Sequence, residues 1–151
     1  MGNLLSGVFN SRSIKLDLDG KTKEMVFAEL IDGIADVYPG CNRSELLAAV
    51  REREEKMNTG IGSGIAVPHA LCRGICGVAG AIGISQHGID YGALDNEPVH
   101  VIFLLTMNKN AEETHLRILS EVFKLAQSQM IVLLKNAKKA QDIHSILSQF
   151  H

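Results

Sequence analysis

Nine consecutive residues, VHVIFLLTM at 99–107, give the strongest strand signal in the chain, apolar and rich in β-branched side chains. Shorter strand-like stretches occur before it. SIKLDLDG (13–20) alternates apolar and polar residues and ends in a turn at Asp19-Gly20, and IAVPHA (65–70) and GVAGAIGIS (77–85) follow later. Helical spacing lies between and after these strands. Met25, Leu30, Ile31 and Ile34 recur through a helix over 21–38 that Pro39-Gly40 stops. Asn42 caps a second helix, with Glu45 as its capping-box partner, and Asn110 with Glu113 is expected to open a third over 111–127. The segment 86–98 is turn-rich, 130–136 fits a strand or a short helix equally, and 138–150 is an amphipathic helix. Helices interleaved with strands predict one α/β (α+β) domain over 1–151, a mixed β-sheet flanked by helices.

Charge and apolar content narrow the function classes. A net charge of −2 argues against nucleic acid or an anionic membrane surface as the main partner. With 46% hydrophobic residues the chain can bury a real core, yet no apolar run approaches the roughly 20 residues that cross a bilayer. The opening MGNLLSGVF has no basic leader or cleavage-like site. It fits the myristoylation pattern through Gly2 and Ser6, but nothing basic nearby supplies a second anchor. Cys41, Cys72 and Cys76, an odd count, suit free thiols in a reducing, cytoplasmic setting. His69, Cys72 and Cys76 match no usual zinc spacing, and no second pair completes four ligands, so no metal is expected.

The most unusual stretch is GIGSGIAVPHA, where Gly60, Gly62 and Gly64 run into a short strand that presents His69 directly after Pro68. The loop follows a helix and opens a strand, and it lacks Lys-Ser/Thr, so it is neither a P-loop nor a dinucleotide fingerprint. Upstream, Leu46, Val50 and Met57 form an apolar stripe with Arg53 inside it, while Arg51, Glu52, Glu54 and Glu55 read as a solvated charged face. A guanidinium fork on an apolar face either pairs with a buried carboxylate or waits beside an anion. Downstream, His115 aligns with Leu119 and Val122 close to a helix start, where anions are favoured. Three hints thus converge on one anionic group. His87, His100, His144 and His151 read as structural or surface residues.

NTGIGSGIAVPHA resembles the active-site signature of the enzyme IIA domains of the bacterial sugar phosphotransferase system, in the fructose–mannitol class that includes the nitrogen-regulatory branch. Arg53 lies sixteen residues before His69, where that family keeps an arginine, and EETHLRILSEV resembles the segment with its second histidine, here His115. GIDYGALDNEPVHVIFLL resembles the family's central region, so the likeness runs from about 13 to 150; Leu71-Cys72 depart from its usual basic or polar residues. The resemblance implies a phosphotransferase without cofactors. His69 would accept a phosphoryl group, on Nε2, from the phosphocarrier protein HPr or its nitrogen-branch counterpart. Arg53 and His115 would stabilise charge, with amides of the Gly60, Gly62 and Gly64 loop adding hydrogen bonds. The group would pass to a IIB domain in sugar transport, or its presence would control binding to regulatory targets. The chain carries no IIB, IIC or HPr-like portion, which favours a free-standing nitrogen-regulatory protein. Two other classes compete: a binding module without phosphotransfer, and a small-molecule anion pocket with His69 as general base.

Overall fold

The central strand dictates the layering. In the computed structural model, which describes residues 4–150, β6 (Val99–Met107) is buried along nearly its whole length. Ile102 and Leu104 pack into one apolar cluster and Val101, Phe103 and Leu105 into the other. A strand apolar on both faces needs a layer on each side, and both are present. On one face lie α2 (Lys23–Val37) and α3 (Arg43–Lys56). The other carries α1 (Leu4–Val8), α4 (Glu112–Gln127), α5 (Met130–Lys135) and α6 (Ala140–Gln149).

The remaining strands are β1 (Phe9–Lys15), β2 (Gly60–Gly62), β3 (Ile65–Ala66), β4 (His69–Leu71) and β5 (Val78–Ile89). The sheet runs β1-β5-β6-β3-β2, with β4 also on β6 beyond β3. β5 is antiparallel to β6, whereas β1 on β5 and both β3 and β4 on β6 are parallel, so the sheet is mixed as expected. β3 and β4 follow one line along β6, broken at Val67-Pro68, and the Pro68 carbonyl still accepts from Leu105 N–H at 2.9 Å.

Local chemistry explains the helix ends and several corrections. The Thr22 and Asn42 side chains accept from Met25 and Glu45 amides, capping α2 and α3. The expected Asn110–Glu113 box is replaced by a 3-10 turn, Lys109–Ala111, capped by Asn108, and α4 starts without a side-chain cap. The first long strand is Phe9–Lys15 rather than 13–20. Residues 16–18 lie outside the strand, and the Asp19 and Gly20 amides donate to the Glu29 carboxylate at 2.9 and 2.8 Å. The undecided 130–136 segment is the short helix α5. Ile118, Val122 and Leu125 of α4 are fully buried, each contributing about 2 kcal/mol of apolar transfer.

At the other end of the chain, Leu5 and Val8 of α1 are buried, and His144 Nε2 donates to the Ser6 carbonyl at 3.0 Å. Gly2 and His151 lie outside the described residues. No helix among the described residues is long and apolar enough to cross a membrane.

Candidate functional site

β4 carries His69 on the sheet face covered by α4, opposite Leu105 in register. His115 occupies the first turn of α4 on its buried side. The two imidazoles therefore meet over the sheet, with ring centroids 5.3 Å apart and planes tilted by 48°. His69 Nδ1–H donates to the Val67 carbonyl at 2.9 Å, which fixes the neutral tautomer and leaves the Nε2 lone pair unprotonated. Burial lowers the His69 pKa, and the positive charge of Arg53 lowers it further; the Val67 bond and the Glu54 carboxylate oppose both. His115 is pushed down to about 4, first by burial and then by His69. Its Nε2 is buried and has no hydrogen-bond partner among the described residues. At neutral pH both rings are uncharged.

Arg53 sits half-buried near the end of α3 and donates from Nη1 to the Met57 carbonyl at 2.8 Å. The apolar stripe differs from the expected one. Leu46 and Val50 are buried, but Met57 is 68% exposed, because α3 ends at Lys56 and extended backbone turns Met57 outward. The third buried member is Glu54, placed by sequence on the solvated face. Its carboxylate accepts from Thr59 N–H at 2.8 Å and Tyr91 O–H at 2.8 Å, and Thr59 Oγ1 lies 2.5 Å away. Lys23 Nζ stands 3.8 Å from that carboxylate and 4.3 Å from the centre of the Tyr91 ring. Sequence reasoning missed Glu54, Thr59 and Tyr91. The available signal was the i, i+4, i+8 spacing of Leu46, Val50 and Glu54.

The glycine loop forms the β2–β3 hairpin, with Gly60 opposite Ala66 and Gly62 opposite Ile65. Ile65 pairs with Val101 and His69 with Leu105, so Gly64 precedes His69 by five strand positions, roughly 16 Å. Gly62 and Gly64 turn the β2–β3 hairpin in left-handed conformations, φ +91° and +80°, beside Asp95 and Lys135. The Gly60 amide is taken by Asn58 Oδ1 at 2.7 Å and the Ser63 amide by Asp95 Oδ2 at 3.0 Å. The structure brings His69 and His115 together, with Arg53 near enough for its charge to act on His69, and Gly60, Gly62 and Gly64 lie in the β2–β3 hairpin and its turn. The segment that reaches the base of His69 is Asn58-Thr59: the Thr59 carbonyl accepts from Val67 N–H at 3.0 Å. Cys72 packs against Cys41 while Cys76 is exposed, and no cluster of three metal-ligating side chains occurs among the described residues.

The profile of the family described as "Phosphoenolpyruvate-dependent sugar phosphotransferase system, EIIA 2" matches residues 7–150. The chain belongs to this EIIA type 2 family. Its members transfer phosphoryl groups. It is 32% identical over 146 residues to a fructose-specific EIIABC component of Bacillus subtilis, covering 96% of this chain but 23% of that protein. A fructose-specific EIIA component of Haloferax volcanii is 31% identical, with 90% of this chain and 89% of that one covered. The nitrogen regulatory protein of Klebsiella oxytoca is 29% identical, with coverages of 96% and 90%. The fold is similar to that of the nitrogen regulatory protein IIA-Ntr of Neisseria meningitidis, with a TM-score of 0.87, 26% identity and coverages of 96% and 99%. The Escherichia coli mannitol IIA, solved in complex with phosphorylated IIB, shares the fold at a TM-score of 0.77 and 16% identity, with coverages of 93% and 98%.

Proposed function

We propose that this EIIA protein carries a phosphoryl group on His69 Nε2. The single observation that carries the reading is the Nδ1–H bond to the Val67 carbonyl, which leaves Nε2 as a fixed, neutral nucleophile beside His115. In the transfer, the P–N bond of a donor phosphohistidine breaks as a bond forms from phosphorus to Nε2. The lone pair of the broken bond returns to the donor nitrogen, and the His69 proton stays on Nδ1. The developing charge lies on the phosphoryl oxygens, so positioning and electrostatics supply the catalysis. His115, neutral with a buried Nε2, suits donation of an N–H to one such oxygen. The Arg53 guanidinium has donors left after its bond to Met57 for another.

The donor in this reading is HPr or its nitrogen-branch counterpart, in the cytoplasm. The fold similarity to IIA-Ntr supports a regulatory role, in which the phosphorylation state sets affinity for protein targets. The fructose-specific relatives support a second reading, transfer onward to a IIB domain. Both share the His69 step. Incubation with phosphoenolpyruvate, enzyme I and each carrier should add one phosphate, about 80 Da by intact mass, to the wild type and none to His69→Ala. Addition of a fructose-type IIB then separates the branches: discharge indicates transport and retention indicates regulation. No mass gain with either carrier would overturn the proposal.

A further inference from the structure

Glu54 is a carboxylate, 9% exposed, that the chemistry above does not use. Its hydrogen bonds go to the turn after α3 and to Tyr91. The Thr59 amide and hydroxyl and the Tyr91 hydroxyl all converge on it, and the Thr59 and Tyr91 oxygens lie 2.6 Å apart. Asn58 ties the same turn to the 91–92 segment through the Tyr91 and Gly92 carbonyls at 2.9 and 3.2 Å. Two backbone carbonyls of this turn lead to the site. Met57 C=O receives the Arg53 guanidinium at 2.8 Å. Thr59 C=O receives Val67 N–H at 3.0 Å, and Val67 C=O receives His69 Nδ1–H at 2.9 Å.

We propose that Glu54 is a positioning residue for phosphoryl transfer: by fixing the 57–59 turn it sets, at once, the His69 ring and the Arg53 fork. The proposal rests on His69 being the phosphoryl acceptor. A buried carboxylate is costly unless each oxygen is satisfied, and here the Thr59 amide and hydroxyl among its donors belong to the segment supporting both groups, with the Tyr91 hydroxyl completing the set. Charge adds a second link. Glu54 and Arg53 act on His69 with opposite signs, so the carboxylate offsets the guanidinium and moderates the fall in the His69 pKa. Lys23, 25% exposed on α2, closes the network on its outer side.

The test is Glu54→Gln in the full chain, with Glu54→Asp and Tyr91→Phe alongside. The readouts are two-dimensional NMR of the histidine ring nitrogens and steady-state transfer from the phosphorylated carrier. Loss of the anchor is expected to shift the His69 tautomer away from pure Nδ1–H and lower its titration midpoint. Turnover at saturating carrier should fall about 10- to 100-fold with KM for the carrier unchanged. Glu54→Asp should recover part of that loss. Should Glu54→Gln fail to unfold cooperatively, Tyr91→Phe is expected to give the same changes at smaller amplitude. His69 signals and turnover within two-fold of wild type, in whichever variant folds, would overturn the proposal. The NMR link from Glu54 to His69 is read without any donor, so it is decided separately from whether the wild type accepts phosphate.

Discussion

The rings of His69 and His115, from an edge strand and from the first turn of α4, stand 5.3 Å apart between centroids, both with pKa values lowered by burial. The transfer rate should therefore hold as the pH is lowered from 8 to 6.5 and fall only below that, when Nε2 of His69 takes up a proton. A pH profile of single-turnover transfer checks this.

Stability should respond to the same burial. His115 in the unfolded chain titrates at its ordinary value of 6.5, but in the folded protein only at about 4. As pH falls through 6.5 the unfolded chain gains a proton that the folded protein refuses, so folding weakens until about pH 4. Urea titrations at pH 7 and pH 4.5 should show about 2–3 kcal/mol of this loss, absent in His115→Gln.

Arg53 should matter to rate far more than to stability. Arg53→Gln should slow transfer about 100- to 1,000-fold. Arg53→Lys should recover little, because one ammonium cannot hold the Met57 carbonyl and also fork onto two phosphoryl oxygens. Unfolding midpoints of both variants should stay near wild type, which quench-flow and thermal melts together would establish.

The glycine hairpin should show the reverse pattern. Gly64→Ala meets no atom closer than 3.5 Å but forces alanine to φ +80°, costing about 1 kcal/mol. Transfer should stay within two-fold of wild type, since the hairpin turn lies far from His69. A large rate loss with unchanged stability would return the glycines to the phosphate.

Thiol chemistry offers a fifth check. Burial and the neighbouring Cys72 push Cys41 up to about 11, and both are buried while Cys76 is exposed. At pH 8 an aromatic disulfide reagent should label one thiol quickly and two only on unfolding, and Cys76→Ser should abolish the fast phase.

The layered fold was legible because β6 and the amphipathic helices have unambiguous patterns, and the inward placing of His115 on α4 was legible from its spacing to Val122. Helix ends were less so. Asn110 and Glu113 have capping-box spacing, but the preceding 3-10 turn moved the helix start past them. Met57 followed the stripe by count only, since the helix had already ended. Glu54 was hidden in a run of charged residues: only its i+4 spacing from Val50 marks it locally, and its partner Tyr91 arrives from a distant segment. The glycines carried a strong motif, but that the chain from Gly64 to His69 runs extended along β6 is set by strand pairing, which the motif does not encode.

The most direct test is where the phosphate sits. Phosphorylated protein, labelled at the histidine ring nitrogens, should show phosphorus coupling to Nε2 of His69 with the Nδ1 proton retained. Coupling to Nδ1, or to any other histidine, would contradict the account, because Nδ1 is committed to the Val67 carbonyl.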